Sequence, residues 1–170
     1  MYVTSLEEVL WGGTLVALTM AMHGFGMLSV LRVQYALKQR FQVEGTFARG
    51  MFRVVLASWM ILLVHLLEVF LWASFLFWKG ALNSPNANLS LCYYFSLNEY
   101  TTLGSDYDLI FRWRLLEGMI SVAGLMTFAW STGVLFTLVQ SFQQRELLTL
   151  EQKPPKPVVP STPIHPTSSD

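Results

Sequence analysis

The chain has 170 residues, the length of one domain, yet 53% are apolar and only 13% charged, where a soluble domain carries about 25% charged residues. The apolar residues come in blocks, which argues for membrane spans over an oversized soluble core. A formal net charge of zero gives no global attraction for nucleic acid, and the lone Cys92 excludes an intrachain disulfide, a zinc knuckle and an iron–sulfur site.

Residues 1–10 hold no Lys or Arg, carry Glu7 and Glu8, and lead into an apolar stretch too long for the core of a secretory signal. The first predicted span covers about 9–31 and contains no formal charge, only His23. The loop over 32–53 follows, with Arg32, Lys38, Arg40, Arg49 and Arg53 against one acid, Glu44. The positive-inside rule makes this loop cytoplasmic. The expected protein is therefore multi-pass in the cell (inner) membrane, with its N-terminus outside and its C-terminus in the cytoplasm. The second span covers about 54–78 and holds only His65 and Glu68 as ionisable groups. Each span exceeds the ~20 residues that cross the hydrocarbon core as a helix. Trp11, Trp78 and Trp113 fall at span ends, as an interfacial belt would place them.

Residues 79–88 form a connector rich in turn residues: Gly80, Asn83, Ser84, Pro85, Asn86 and Asn88. Asn88 or Ser90 can cap a short helix running to about Tyr100. About 12 residues at ~1.5 Å each reach only ~18 Å, so this helix is expected to re-enter the membrane face and not to span. Its carboxyl end would aim a partial negative charge at a cation. Thr101, Thr102, Leu103, Gly104, Ser105 and Asp106 follow, flanked by the acids Glu99 and Asp108.

The third span covers about 115–142. Glu117, Ser121, Gly124, Phe128, Ser131 and Leu135 recur at spacings of three and four, one face that suits a helix lining a cavity. Gly124 fits two roles there: a bend that opens a gate, or close helix packing. Six of the seven prolines lie beyond Glu151, so 146–170 is read as a disordered Pro-rich cytoplasmic tail. A partner for that tail is conceivable and unidentified.

The order span, short helix, Thr101-Thr102-Leu103-Gly104, span resembles the pore module of the potassium-channel superfamily. In that family backbone carbonyls of an extended filter replace the water shell of a cation. The His65-x-x-Glu68 step with Leu71-Trp72-Ala73, and Trp130-Ser131-Thr132-Gly133, are similar to bacterial two-transmembrane-pore proteins with an additional N-terminal span. The resemblance covers about 54–140. It implies an all-α membrane protein of three transmembrane helices, with a re-entrant pore helix and filter loop between the second and third. Residues 1–53 are then an N-terminal helix and basic loop, and 54–145 the pore module. The implied function is a cation channel subunit, potassium among the candidate ions, assembled as a homotetramer in lipid, with no enzymatic activity, nucleic-acid partner, metal or cofactor beyond the permeant monovalent cation. A potassium filter continues with Tyr-Gly or Phe-Gly, and here Ser105-Asp106-Tyr107 stands instead. Weak preference for potassium over sodium is therefore expected.

Other readings of the same residues stay open. His65 and Glu68 share one helix face with Ser58, Ile61, Trp72 and Phe75. An ionisable pair at this depth is either a proton or ion sensor coupled to gating, or a satisfied pair that locks helices together. His23 and His65 fall at matched depth, which also allows a bis-histidine haem and a membrane electron carrier. Glu99 can share a proton with Asp106 or Asp108, the acids can form a ring at a pore mouth, or they can be a solvated turn. A non-conducting structural or regulatory membrane protein is the remaining alternative.

Overall fold

The computed structural model describes residues 4–40 and 47–151. Their regular elements are helices: α1 (Leu6–Arg40), α2 (Phe47–Lys79), a short α3 (Leu89–Tyr100) and α4 (Leu115–Glu151), with a 3-10 turn at Phe111–Trp113. The segments Leu6–Gln39, Phe47–Lys79 and Phe111–Gln144 are long and apolar enough to cross a membrane. All three long helices overrun the spans read from the sequence. Hydropathy marks only the part of a helix that prefers lipid, whereas Gln, Lys, Arg and Leu beyond it are good helix formers and carry the backbone ladder onward. The last helix therefore runs past 145, where the tail was expected to begin; residues 152–170 lie outside the described residues.

Two sets of contacts fix the direction of each helix. At one end Trp11 of α1 packs on Phe75 and Trp78 of α2, with ring centroids 5.4 and 5.9 Å apart. The Lys79 ammonium sits over the rings of Trp11, Trp78 and Trp113 at 4.9, 4.3 and 5.7 Å. Glu8 Oε1 accepts the N–H of Leu115, an orphan donor of the first turn of α4, at 2.5 Å. Arg112 also pairs with Glu7. At the other end Gln34 Nε2 donates to the Arg53 carbonyl at 2.9 Å, and Phe47 meets Phe142 at 5.6 Å. Hence α1 and α4 run the same way and α2 runs against both. The three tryptophans expected at an interface are gathered around one cation, at one end of the bundle.

The main core is built by α2, α3 and α4 around Trp72, Leu76, Phe95, Tyr100, Leu116 and Ile120. A smaller cluster, Met27, Val30, Ala57 and Ile61, joins α1 to α2. Much of the remaining apolar surface faces outward, including Phe25, Leu63, Leu67, Leu125 and Phe136. That is the expected outside of a helix bundle solvated by lipid or by further subunits.

The segment between α2 and α4 is tied at its neck. Gly80, with φ +57°, ends α2 in the left-handed turn that suits glycine; the Ala81 N–H then bonds to the Leu76 carbonyl at 2.9 Å. Leu82 and Leu109 form an antiparallel bridge. Asn83 N–H donates to the Asp108 carbonyl at 3.0 Å and Ile110 N–H to the Ala81 carbonyl at 2.9 Å. Within the neck, α3 starts at Asn88, whose Oδ1 accepts the Leu91 N–H at 2.9 Å, so Asn88 and not Ser90 is the cap. The other end of α3 reaches deep between α2 and α4, where Tyr100 is buried.

Candidate functional site

Six polar side chains meet where the four helices converge. His23 comes from α1, His65 and Glu68 from α2, Tyr100 from the last turn of α3, and Thr127 and Ser131 from α4; all are buried. His23 Nδ1 lies 2.8 Å from Glu68 Oε1. Tyr100 Oη–H donates to Glu68 Oε2, and His65 Nδ1 lies 3.1 Å from Tyr100 Oη and 3.5 Å from Glu68 Oε2. Ser131 Oγ bridges the far sides of both imidazoles, 3.0 Å from His65 Nε2 and 3.2 Å from His23 Nε2. Thr127 Oγ1 closes the network at 2.5 Å from Tyr100 Oη. An apolar rim of Phe128 and Trp130 stacks beside the imidazoles, at 4.5 Å from His65 and 5.4 Å from His23.

The sequence explains why these groups meet. His65 and Glu68 are one turn apart on α2, and Thr127 and Ser131 one turn apart on α4. Gly124, one turn further, lets α3 close in: a Cβ there would collide with the Tyr100 carbonyl. Ser121 Oγ donates to the Glu99 carbonyl at 2.8 Å and adds a second tie between α4 and the end of α3. The face of α4 carrying Ser121, Gly124 and Ser131 therefore packs inward on α2 and α3 within one chain, not on a cavity. Of the two roles open for Gly124, this geometry uses close packing. Phe128, placed on that face by spacing, is partly exposed beside it, and Thr127 takes the inner position.

The loop after α3 is arranged differently from the extended run read in the sequence. Thr101 Oγ1 donates back to the Leu97 carbonyl at 2.9 Å. Leu103 N–H bonds to the Asn98 carbonyl at 2.9 Å and Thr102 N–H to the Glu99 carbonyl at 3.0 Å. These two bonds make a Schellman cap with Thr102 in the left-handed position, φ +61°. Thr101 and Thr102 are thus the end of the helix, and only the chain from Leu103 onward is open. Leu103 is 80% exposed, and Gly104 turns with φ +77°. Ser105 is partly buried: its backbone N–H serves the Glu99 carboxylate, while its Oγ accepts the Tyr107 N–H at 3.2 Å. Asp106 is exposed. Asp108 is exposed and lies 3.8 Å from Arg114, and Glu117 Oε1 accepts the Leu109 N–H at 2.8 Å. Glu99 has both Glu117 and Asp108 within Coulombic range.

A β-branched residue at positive φ costs about 1–2 kcal/mol. Thr102→Gly is expected to stabilise the fold by about 0.5–1 kcal/mol, once the greater chain entropy of glycine is offset. Thermal unfolding in detergent reads this; a lower midpoint than the parent would count against the left-handed cap.

The structure brings together His23, His65, Glu68 and Ser131, all singled out in the sequence, and sets Glu99, Asp106 and Asp108 apart from them on the loop. Spacing did not reveal Thr127 or the role of the Tyr100 hydroxyl. Thr127 shares a helix face with Gly124 and Ser131, which was the available signal. Tyr100 carried none, because its partner lies 32 residues away. Comparison with family models, with curated proteins and with solved structures finds no match for this chain.

Proposed function

We propose that the chain is one subunit of a cation channel, in which four copies surround a central path and the loop at 101–108 forms a degenerate filter. The observation that carries this reading is the tied neck at Leu82 and Leu109 combined with the depth of Tyr100. Tyr100 sits beside Glu68, eleven residues before the end of α2 at Lys79, or ~16 Å along the helix at ~1.5 Å per residue. The chain therefore enters by α3 to about the middle of the apolar layer and returns to the end it came from. Non-helical backbone at such depth is tolerated only where it is buried in protein or borders water. Leu103 and Gly104 point away from their own subunit, so neighbouring copies or a wet path must surround them.

One such loop supplies a fraction of a coordination ring, and closure by cyclic symmetry supplies the rest. The outward apolar side chains Val122, Leu125, Met126 and Phe136 of α4 suit contact with other copies or lipid. The basic stretch 32–53 orients the loop toward the outside and the C-terminus toward the cytoplasm. Asp106, exposed beside Gly104, would attract cations at the mouth. With Thr101 and Thr102 consumed by the helix cap, few regular carbonyl sites remain, and discrimination between potassium and sodium is expected to be weak.

The haem alternative draws less support. The His23 and His65 rings lie 5.2 Å apart at 40° and share both Ser131 and Glu68, which leaves no flat slot for a porphyrin between them.

The test is flux from liposomes holding the purified protein, paired with native mass spectrometry in mild detergent. Tetramers that pass potassium and sodium at comparable rates, with lower flux in Asp106→Asn, are the expected result. A monomer or dimer without flux would overturn the channel reading and leave a structural or regulatory role. A Soret band in the purified protein would revive the haem carrier.

A further inference from the structure

The bonds around Ser131 lead to a conclusion independent of ion conduction. Ser131 has one hydroxyl proton and faces two imidazole Nε2 atoms. If both histidines carry their proton on Nδ1, Ser131 donates to one Nε2 and the other faces its oxygen with no proton between them. If both carry it on Nε2, Ser131 accepts from both and that side is satisfied. Both Nδ1 lone pairs then turn toward the carboxylate of Glu68, which repels them unless a cation sits among the three. With the protons on opposite sides of the two rings, Ser131 both donates and accepts and its side closes by itself; with both on Nε2, a cation among the three completes the cluster.

We propose that His23 Nδ1, His65 Nδ1 and the Glu68 carboxylate form a site for a divalent first-row transition metal ion, of which Zn²⁺ is the best match. One His and one Glu–His pair come from neighbouring helices, and one ligand atom from each of the three residues lies within 4.8 Å of the other two. Around a tetrahedral Zn²⁺ with bonds of ~2.0–2.1 Å, ligand atoms are separated by ~3.4 Å. Here His23 Nδ1 stands 2.8 Å from Glu68 Oε1 and His65 Nδ1 stands 3.5 Å from Glu68 Oε2, so small shifts admit the ion. Two nitrogens and a carboxylate with one open position suit zinc by donor type.

The surrounding bonds match what metal ligands need. A ligating imidazole normally donates its other N–H to an oxygen that fixes its orientation. Ser131 Oγ is placed to do so for both rings, and Tyr100 holds the second oxygen of Glu68. The ion would tie α1 to α2 directly under the end of α3.

The experiment uses the full chain in detergent, stripped with a chelator and then equilibrated with Co²⁺ or Zn²⁺ and desalted. About one metal ion per chain by elemental analysis is expected, with the visible absorption bands of tetrahedral Co²⁺, removed by competing Zn²⁺. His23→Ala and Glu68→Gln should each weaken Co²⁺ binding by ~100-fold or more, and Ser131→Ala by ~10-fold, as outer-shell changes do. His165→Ala, in the tail, should change nothing. Because the His23 and Glu68 variants can lose their fold, the parent spectrum decides by itself. Folded parent protein without Co²⁺ bands overturns the metal site. Metal retained by a folded His23→Ala, Glu68→Gln double variant places the ion elsewhere and overturns it equally.

Discussion

Glu68→Leu is expected to be the most damaging single substitution in the chain. It removes the partner of His23 Nδ1 and the acceptor of Tyr100 Oη, while both groups stay buried among Thr127, Ser131 and aromatic rings. Each buried polar group left without its partner costs about 1–3 kcal/mol, because it keeps its desolvation cost without its bond, and Glu68→Leu leaves two such groups. Glu68→Gln keeps one carbonyl oxygen, and with it part of the network, so a loss of about 1–3 kcal/mol is expected. Thermal unfolding of the detergent-solubilised protein should rank parent, Glu68→Gln and Glu68→Leu in that order. Equal midpoints for parent and Glu68→Leu would mean that the cluster does not hold the helices together. The effect should reach all four helices, since each contributes a side chain that bonds within the network or directly to Glu68.

The second large effect is expected at Gly124. A Cβ at this position meets the Tyr100 carbonyl, which is backbone at the end of α3 and cannot swing aside. Gly124→Val should force α3 outward, break the Ser121 bond to the Glu99 carbonyl, and pull Tyr100 off Glu68 and Thr127. Overpacking of this kind costs about 1–3 kcal/mol, and the loss of the buried bonds adds to it. Gly133 on the same helix is the internal control. A Cβ there meets nothing within 4 Å, so Gly133→Ala should be neutral, or stabilising by up to about 1 kcal/mol through helix propensity. In the flux assay, Gly124→Val should reduce ion passage and Gly133→Ala should not. If Gly124→Val left stability unchanged and altered only the opening of a current, the bend role for Gly124 would regain its place.

The two substitutions probe different links of the same argument. Glu68 tests whether polar bonds at depth join the helices. Gly124 tests whether the end of α3 must lie where those bonds need it.

Which features could be read from the chain follows from how far each interaction reaches. Hydrophobic blocks long enough to cross a membrane, a connector of Gly, Pro and Asn, and a run of about 12 residues after Asn88 are local properties, and they sufficed to place α1, α2, α3 and α4. Even there, hydropathy ended the spans early, because leaving lipid does not stop a helix. The Asn88 cap was legible for the same local reason. The pairing of His65 with Glu68 on one face followed from helical periodicity. What periodicity does not carry is which helix that face meets. His23 and Glu68 are 45 residues apart, and Ser131 and His23 are 108 apart; only the packing of α1 and α4 against α2 brings them within bonding distance. The sequence reading therefore expected no metal, while the packed helices gather three side chains that could hold one. Thr101 and Thr102 show the limit from the other side. Their place in a Thr-Thr-Leu-Gly run suggested an extended strand, but a left-handed cap at Thr102 is held by bonds back into α3, and by α3 lying against Gly124. Spacing along the chain determined the elements and their polar faces; the approach of one backbone to a glycine on another helix decided what those faces became.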